Sequence, residues 1–558
     1  MIELVLLLPG LLFVPHGGQY IPPAPDPGVP PPVQGVVAEP GLGPQIPFDA
    51  TRWEWWFDFN QEAFLDLRNR LPLRAATAGA AYDAPTADDR RKLVTLFVDA
   101  LQDKPAVKMA ALRTNPRDVR AAAILSLGRL QLSDAVPYIE LTLERDADLF
   151  VRTQALLALG FSESPQAVET LVRIFHDESQ GAELRTYAIT GLGLIGAGQA
   201  ADVLRSALGE KELAAVNNQL RDAVLYAAGV CADPSLGDAL RALTTTHLFG
   251  HEPDVRALTA FALGRLGDAA CVPPLLELLK DPDNGIRRSA ATALESLRVA
   301  LDKAQVDALL ARAKDEGDNE TRHTLLRALG RTHGDAARAF LQGSLAANRA
   351  DDRPFVALAL AIDGHFSDAA PLLAALKDEH EASVVGAYAM ALALLGSPDA
   401  QAPLSERLLA AKDPLLQTNL LIALGLLDPP NPAIGERCDE LARGSADVEV
   451  IRCAVIGLGL LGDRARLAKL AADTPKIPGV VHRAALVFAL GLAGDRHLID
   501  PLAAIAQDTN QPVYVRAYAL QALGELADPR PISPVARLSG NVDMSLDVGF
   551  LFELYRAF

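Results

Sequence analysis

The decapeptide VRTQALLALG (residues 151–160) recurs along the chain: VRAAAILSLGRL at 119–130, LRTYAITGLGLIG at 184–196, VRALTAFALGRLGD at 255–268 and VRAYALQALGELAD at 515–528. Aligned on their arginine column, the copies are anchored at Arg120, Arg152, Arg185, Arg221, Arg256, Arg287, Arg322, Arg353, Gly386, Gln417, Ile451, Arg483 and Arg516. The 396 residues from 120 to 516 hold twelve intervals, a mean period of 33. Ten of the thirteen anchors are Arg, and ten are followed by Gly eight residues later. A pattern held that tightly is an internal repeat, and a period in this range means stacked supersecondary units.

Within each unit the apolar positions +3, +4 and +7 after the anchor share one face at 100° per residue, the mark of a helix. A second amphipathic stretch lies between anchors, as in AVETLVRIFHDE (167–178) and CVPPLLELLKDP (271–282). Asp-Pro pairs at 281–282 and 413–414 are expected to end that partner helix, because the residue before Pro leaves the α region. No segment alternates with period two over a strand's length, so the class is all-α. The chain has 558 residues, 50% hydrophobic but only 5% aromatic. A length beyond roughly 250–300 residues forbids a single compact core, and a repeat array meets that limit by growing in one direction.

Ankyrin arrays need a TPLHxA turn and tetratricopeptide arrays a WxxLGxxY pattern; both are absent here. The phrase D-x-x-VR-x-x-A-x-x-ALG-x-LGD, followed by L-x-x-LL-x-D, resembles the short HEAT repeats of phycobilisome-lyase-like proteins, over residues from about 90 to 540. That resemblance implies a right-handed, armadillo-like α-solenoid of about 13 helical hairpins with helical caps, whose second helices line a concave side. The Pro-rich leader and Trp-rich opening look like those of exported bacterial HEAT-repeat proteins.

The flanks divide accordingly. Residues 1–18 carry an 11-residue apolar run, Leu4–Val14, which fits a signal peptide and is far shorter than a membrane span of about 20 residues. It lacks a basic residue before the run and an A-x-A site after it. The rival reading is an apolar N-terminus on a cytoplasmic protein. Residues 19–50 read as a Pro-rich disordered linker, with ten prolines between Tyr20 and Pro47. Residues 51–75 open with all three tryptophans, Trp53, Trp55 and Trp56, and Thr51 and Glu54 have capping-box spacing. This segment is expected to be a capping helix on the first repeat; an exposed aromatic partner site is the alternative. The solenoid occupies 85–540. Residues 541–558, with Phe550, Phe552, Tyr555 and Phe558, are expected to cap the last repeat.

A net charge of −18 excludes a non-specific nucleic-acid binder. The chemistry sought is absent from the sequence: there is no GxxxxGK[ST], HExxH or GxSxG. The strings GLGLIG (191–196) and GLGLLG (457–462) fall at helix ends of the repeat and not between a strand and a helix, as dinucleotide binding requires. Deoxyhypusine hydroxylase, an enzyme built of HEAT repeats, binds iron through His-Glu pairs just after the repeat Arg. Here only His323 stands at that place, followed by Thr324, while His251–Glu252 and His380–Glu381 precede their anchors. His247 and His251 are spaced i, i+4 and read as surface histidines. The four cysteines, Cys231, Cys271, Cys438 and Cys453, are spaced too widely for a zinc site and read as buried thiols, with Cys438 and Cys453 the pair close enough in sequence to bridge. No catalytic, cofactor or metal residue is assigned.

The expected role is non-catalytic: a scaffold or adaptor in the cell envelope that binds a protein partner along the solenoid. A bilin-lyase-like enzyme or a chaperone is the alternative. Candidate partner-binding residues are those at positions +1, +5 and +9 of the second helices, together with the tryptophans of the opening segment. They comprise Tyr226, Phe261 and Phe488, the arginines Arg265, Arg288, Arg327 and Arg331, which together suit a carboxylate-rich segment or phosphate, and the three tryptophans. Leu157, Leu358 and Ile422 share the +5 position with Tyr226, Phe261 and Phe488; burial against neighbouring repeats is the competing explanation for that whole apolar set, and solvated side chains for the arginines. The anchor arginines are expected to form a structural ladder to Asp residues and helix ends.

Overall fold

The computed structural model describes residues 52–67, 69–70, 83–101, 116–196, 198–245, 252–332, 334–345, 349–362, 368–542 and 551. The expected signal peptide and Pro-rich linker lie outside these residues, as does nearly all of the expected C-terminal cap. Among the described residues there is no strand.

Helix α1 (Trp53–Leu65) stands apart from the repeats. Thirteen hairpins follow, each an outer helix and then an inner one. They are α2 (Ala87–Leu101) with α3 (Arg117–Arg129), α4 (Val136–Arg145) with α5 (Leu149–Phe161), and α6 (Pro165–His176) with α7 (Ala182–Ile195). The fourth has two short outer helices, α8 (Gln199–Ala207) and α9 (Glu210–Ala215), before α10 (Asn218–Cys231). Next come α11 (Gly237–Leu243) with α12 (Pro253–Arg265), α13 (Val272–Leu278) with α14 (Asn284–Ser296), and α15 (Lys303–Asp315) with α16 (Asn319–Gly330). Then follow α17 (Asp335–Leu345) with α18 (Arg353–Ala361), α19 (Ala370–Asp378) with α20 (Ala382–Leu394), and α21 (Gln401–Ala410) with α22 (Pro414–Leu426). The array ends with α23 (Pro432–Gly444) and α24 (Val448–Leu460), α25 (Arg464–Asp473) and α26 (Val480–Ala493), and α27 (Ile499–Gln507) and α28 (Val513–Ala527); a short α29 (Pro534–Ser539) comes last.

The repeat phrase explains each inner helix residue by residue. The Asp four positions before the anchor is the N-cap: Asp148, Asp283, Asp318, Asp413 and Asp447 accept from backbone N–H groups of the first turn at 2.9–3.1 Å. Such a cap contributes about 1 kcal/mol. Pro414 is thus the first residue of an inner helix, a position suited to a residue without an N–H, and not the terminator expected after an outer one. The anchor Arg then ties hairpins together. Arg120 reaches Asp146 at 2.7 Å, Arg287 grips Glu316 through two 3.0 Å bonds, and Arg322 reaches Asp352 at 2.7 Å. Where no carboxylate is offered, Arg152, Arg185 and Arg516 donate to Leu143, Phe175 and Ala506 carbonyls in the last turn of the preceding outer helix, at 3.0, 2.8 and 3.1 Å. A cation is favoured there by the helix dipole.

The Gly eight positions after the anchor sets how closely inner helices approach. A Cβ on Gly128 would lie 2.7 Å from the Ala158 Cα, six positions after the next anchor. The same pairing recurs between the last hairpin and the first. A Cβ on Gly524, in α28, would lie 2.6 Å from Ser126 Oγ and 2.9 Å from its Cα, in α3. Helix α28 packs on α3 as extensively as any two sequential inner helices pack. Ser126 Oγ donates to Leu520 O at 2.9 Å, and Arg129 pairs with Glu525. In the outer layer Arg496 holds Asp89 at 2.6 Å and Asp83 at 3.4 Å. The array is a closed ring.

Closure corrects the expectation of an open array with capped ends. An open array needs end caps because its terminal repeats leave an apolar face uncovered. Here the two faces cover each other, so the Trp-rich segment has no end to cap. Helix α1 instead packs on the far side of the ring, against α20 and α29. It begins at Trp53 after Arg52, which offers no side-chain cap; Thr51, half of the expected capping box, lies outside the described residues.

Two measurements test closure. Gly524→Leu should destabilise the protein by about 1–3 kcal/mol in urea unfolding, the usual cost of overpacking, and should enlarge the radius of gyration in solution scattering. Asp89→Asn should lower stability at pH 7. The hydrogen bond from Arg496 holds the Asp89 carboxyl far below its usual range. Its contribution is therefore present above the unfolded value near 4 and fades as pH falls toward the folded one, where wild type and variant should converge.

Candidate functional site

The inner helices are buried nearly all round. In α3 the run Val119 through Gly128 is buried without interruption. That pattern requires cover on the lumen side as well as the outer layer. The chain's own terminal segments supply it.

Helix α1 runs along the inner wall in the same direction as the inner helices. Trp53 is fully buried, its indole Nε1 donating to Ser383 O at 2.9 Å and facing Ser383 Oγ at 3.1 Å, at the N-terminal end of α20. Trp56 lies half-buried under Arg327, whose guanidinium carbon is 4.5 Å from the ring centroid. Phe64 meets Arg331 at the C-terminal end of α16, 6.0 Å from centroid to guanidinium. Phe57 joins Trp53 and Phe64 into one aromatic row, with centroids 5.8 and 5.9 Å apart. The Trp55 side chain lies outside the described set.

The segment after α28 crosses the C-terminal mouth of the ring as a strap. Buried Arg530 donates to the Phe161 carbonyl at 2.8 Å, and Arg537 bonds Glu163 at 2.8 Å and approaches the Val230 carbonyl at 3.5 Å. Arg129 donates to Ser533 Oγ at 3.2 Å. The strap then meets α1, where Glu62 accepts from the Ser533 N–H and Asn60 Oδ1 accepts from the Asn541 N–H at 2.9 Å.

These contacts show where the residues singled out by the sequence lie. Tyr226 is fully buried; its hydroxyl donates to Leu538 O at 2.7 Å and its ring stacks on Phe261 at 5.6 Å. Arg265 covers the Phe261 face and donates to the Arg537 and Gly540 carbonyls, both at 3.0 Å. Arg327 also binds Glu295 at 3.1 Å, and Arg288 pairs with Glu320 at 2.6 Å. Phe488 is half-buried, edge-on to Tyr518. Leu157, Leu358 and Ile422 are buried. The structure brings Tyr226, Phe261 and Arg265 together beneath the strap, and Trp53, Trp56, Arg327 and Arg331 together around α1. It does not join the arginines into one basic stripe on an open concave face, because each is turned to a carboxylate, carbonyl or ring of its own chain. Sequence reasoning missed Ser383, Asn60, Glu62, Arg530 and Arg537. Arg530 and Arg537, in DPRPISPVARLSG just past the last repeat, were the available signal.

The remaining candidates for chemistry are structural. His323 is buried against Asp352 at 3.2 Å and stacked on Phe355 at 4.0 Å. Burial lowers its pKa despite that carboxylate. Asp352 is itself held below its usual range by His323 and Arg322, against its burial. Glu381 precedes α20 and follows His380 in a loop; His247 and His251 lie outside the described residues. All four cysteines are buried and form no disulfide, so Cys438 and Cys453 are not bridged. Burial pushes the thiols of Cys231 and Cys438 up to about 11 and about 12. In GLGLIG, a Cβ on Gly193 would lie 3.0 Å from the Ala227 Cα, so this string is a helix contact. Among the described residues no three His, Cys, Asp or Glu side chains are placed to hold a metal ion, and no helix is long and apolar enough to cross a membrane.

Fold and site together define a ring of helical hairpins closed on itself, with its inner wall covered by the chain's own termini. The HEAT-repeat family model matches residues 105–185 and 247–330, so the chain carries HEAT repeats. No curated protein matches it significantly. Similar solved structures include human deoxyhypusine hydroxylase in complex with glycerol, at 19% identity over 50% of this chain and 96% of that one, TM-score 0.22. The complex of CpcE and CpcF of phycocyanin lyase from Nostoc sp. is similar at 18% identity over 58% and 99%, TM-score 0.28. An engineered protein matches at 16% identity over 78% and 98%, TM-score 0.25. Overlays of that quality carry no argument about shape or activity.

One buried acid yields a pH-dependent prediction. Burial, with Asp254 adding to it, pushes Asp222 in α10 up to about 7 against the neighbouring Arg221. Between pH 4 and 7 the folded protein keeps a proton that the unfolded chain releases, so stability falls as pH rises through that window. Asp222→Asn should raise the melting temperature at pH 8 and leave it unchanged near pH 3.5, as read by calorimetry.

Proposed function

We propose that this protein is a non-catalytic scaffold that binds protein partners in the cell envelope. The observation that carries the reading is the engagement of the inner-wall charges. Arg265, Arg288 and Arg327 are each tied to carbonyls or carboxylates of the same chain, which supports reading the ring as a braced body. Its outer layer supplies attachment points: Tyr138 and Leu141 of α4 and Leu409 of α21 are exposed apolar side chains. Export is supported by the apolar run Leu4–Val14 ahead of a proline-rich stretch.

Photo-cross-linking from positions 138 and 141 in native envelopes tests the reading. The expected result is one or a few stoichiometric protein adducts, with mature chains starting near residue 19 on N-terminal sequencing. Protein purified after co-expression with a bilin should remain colourless. A bound chromophore, or substrate turnover without any adduct, would reverse the assignment.

A further inference from the structure

Helix α1 is held against the ring wall by an incomplete set of interactions. At one end, Trp53 is fully satisfied by Ser383. One residue on, both carboxylate oxygens of Glu54 are buried without a hydrogen bond from the protein, and their ion pair is with the neighbouring Arg52 at 3.4 Å. The same end of the wall carries Glu381 and Glu379. Burial, then the charges of Glu54 and Glu379, raise the Glu381 carboxyl above its usual range, against the Ser383 backbone hydrogen bond and the Arg52 charge. Arg353 is 3.5 Å from Glu379, while Arg407 spends its bonds on the Glu379 and Leu376 carbonyls. An acidic patch on the wall therefore faces an acidic residue on the helix seated there. The mismatch continues at Trp56, whose indole N–H is buried without an acceptor although its face is well used by Arg327. Buried polar groups left unmatched oppose docking, and like charges across an interface select against the occupant that carries them. The aromatic row fits the wall; the charge in its first turn does not.

Helix α1 lies outside every repeat hairpin, tied to the wall through Ser383 and to the strap through Glu62 and Asn60. The 21 residues between Leu65 and Ala87 can span roughly 70 Å when extended, and no repeat helix passes through α1.

We propose that the wall formed by Glu381, Ser383, Arg327 and Arg331 is a docking surface for a partner's aromatic-faced helix bearing a Lys or Arg in its first turn, and that α1 occupies it as a displaceable stand-in. Aromatic residues three, four and eleven positions after the leading one, as Trp53, Trp56, Phe57 and Phe64 are spaced, face the wall, and the basic residue pairs with Glu381 and Glu379. The proposal rests on the scaffold reading and names the chemistry of one partner.

The test uses the full chain and two labelled synthetic peptides copying residues 52–67, one of them with Glu54→Lys. Fluorescence anisotropy should show the lysine peptide binding at least about tenfold more tightly than the native one, about 1.4 kcal/mol. Glu381→Gln in the full chain should remove most of that preference, and Glu54→Gln in the full chain, which eases the seating of its own α1, should weaken binding of both peptides. Equal affinities, no binding by either peptide, or a lysine preference that survives Glu381→Gln would overturn it. Cross-linked partners on the outer layer alongside such a result would leave the scaffold reading standing and remove only this surface.

Discussion

The structure depends on one close approach, repeated around the ring: a glycine backbone laid directly against the next inner helix. Gly128 meets Ala158 in this way, and Gly524 meets Ser126. Because the last contact uses the same residue positions as the first, the two ends of the array are interchangeable with any internal junction. Each unit buries its apolar face only against a neighbour, and ring closure gives every unit two neighbours. The cost is entropic, since contacts between residues almost four hundred apart must form before the seam gains anything. The seam offsets this with charged groups in both layers, Arg129 with Glu525 inside and Arg496 with Asp89 outside.

The charged residues of the repeat serve geometry more than recognition. An Asp caps each of several inner helices, and the anchor Arg grips the carboxylate or carbonyl at the adjoining hairpin. Where these pairs are sheltered, as with Arg322 and Asp352, removing one partner would strand a charge, which usually costs about 3–5 kcal/mol. Such pairs fix the angle between hairpins, and that angle must be right for the ends to meet.

Much of this was legible in the sequence. The Arg column and the Gly eight residues later mark thirteen inner helices, and the structure has thirteen hairpins. The roles of the phrase are local, and local contacts follow from spacing. Closure was not legible, because curvature is the sum of thirteen small rotations that no single residue encodes. From that one gap the other misreadings follow. Trp53 was expected on the first repeat and is found on Ser383, and Tyr226, weighed between an open contact face and burial, is found buried under Leu538. The sequence identified side chains made for contact but could not say that the contact was with the chain's own ends.

A closed circuit also makes the number of units a whole-number constraint. Thirteen hairpins share a full revolution at about 28° each, whereas twelve or fourteen would need about 30° or 26° at every junction. Open arrays lengthen or shorten by gaining or losing a unit at little geometric cost. Here a single gain or loss would misalign Gly524 with Ser126 unless all junctions shifted together. Change in this architecture is therefore channelled into the outer helices, the loops and the two terminal segments, which can vary without disturbing the arc.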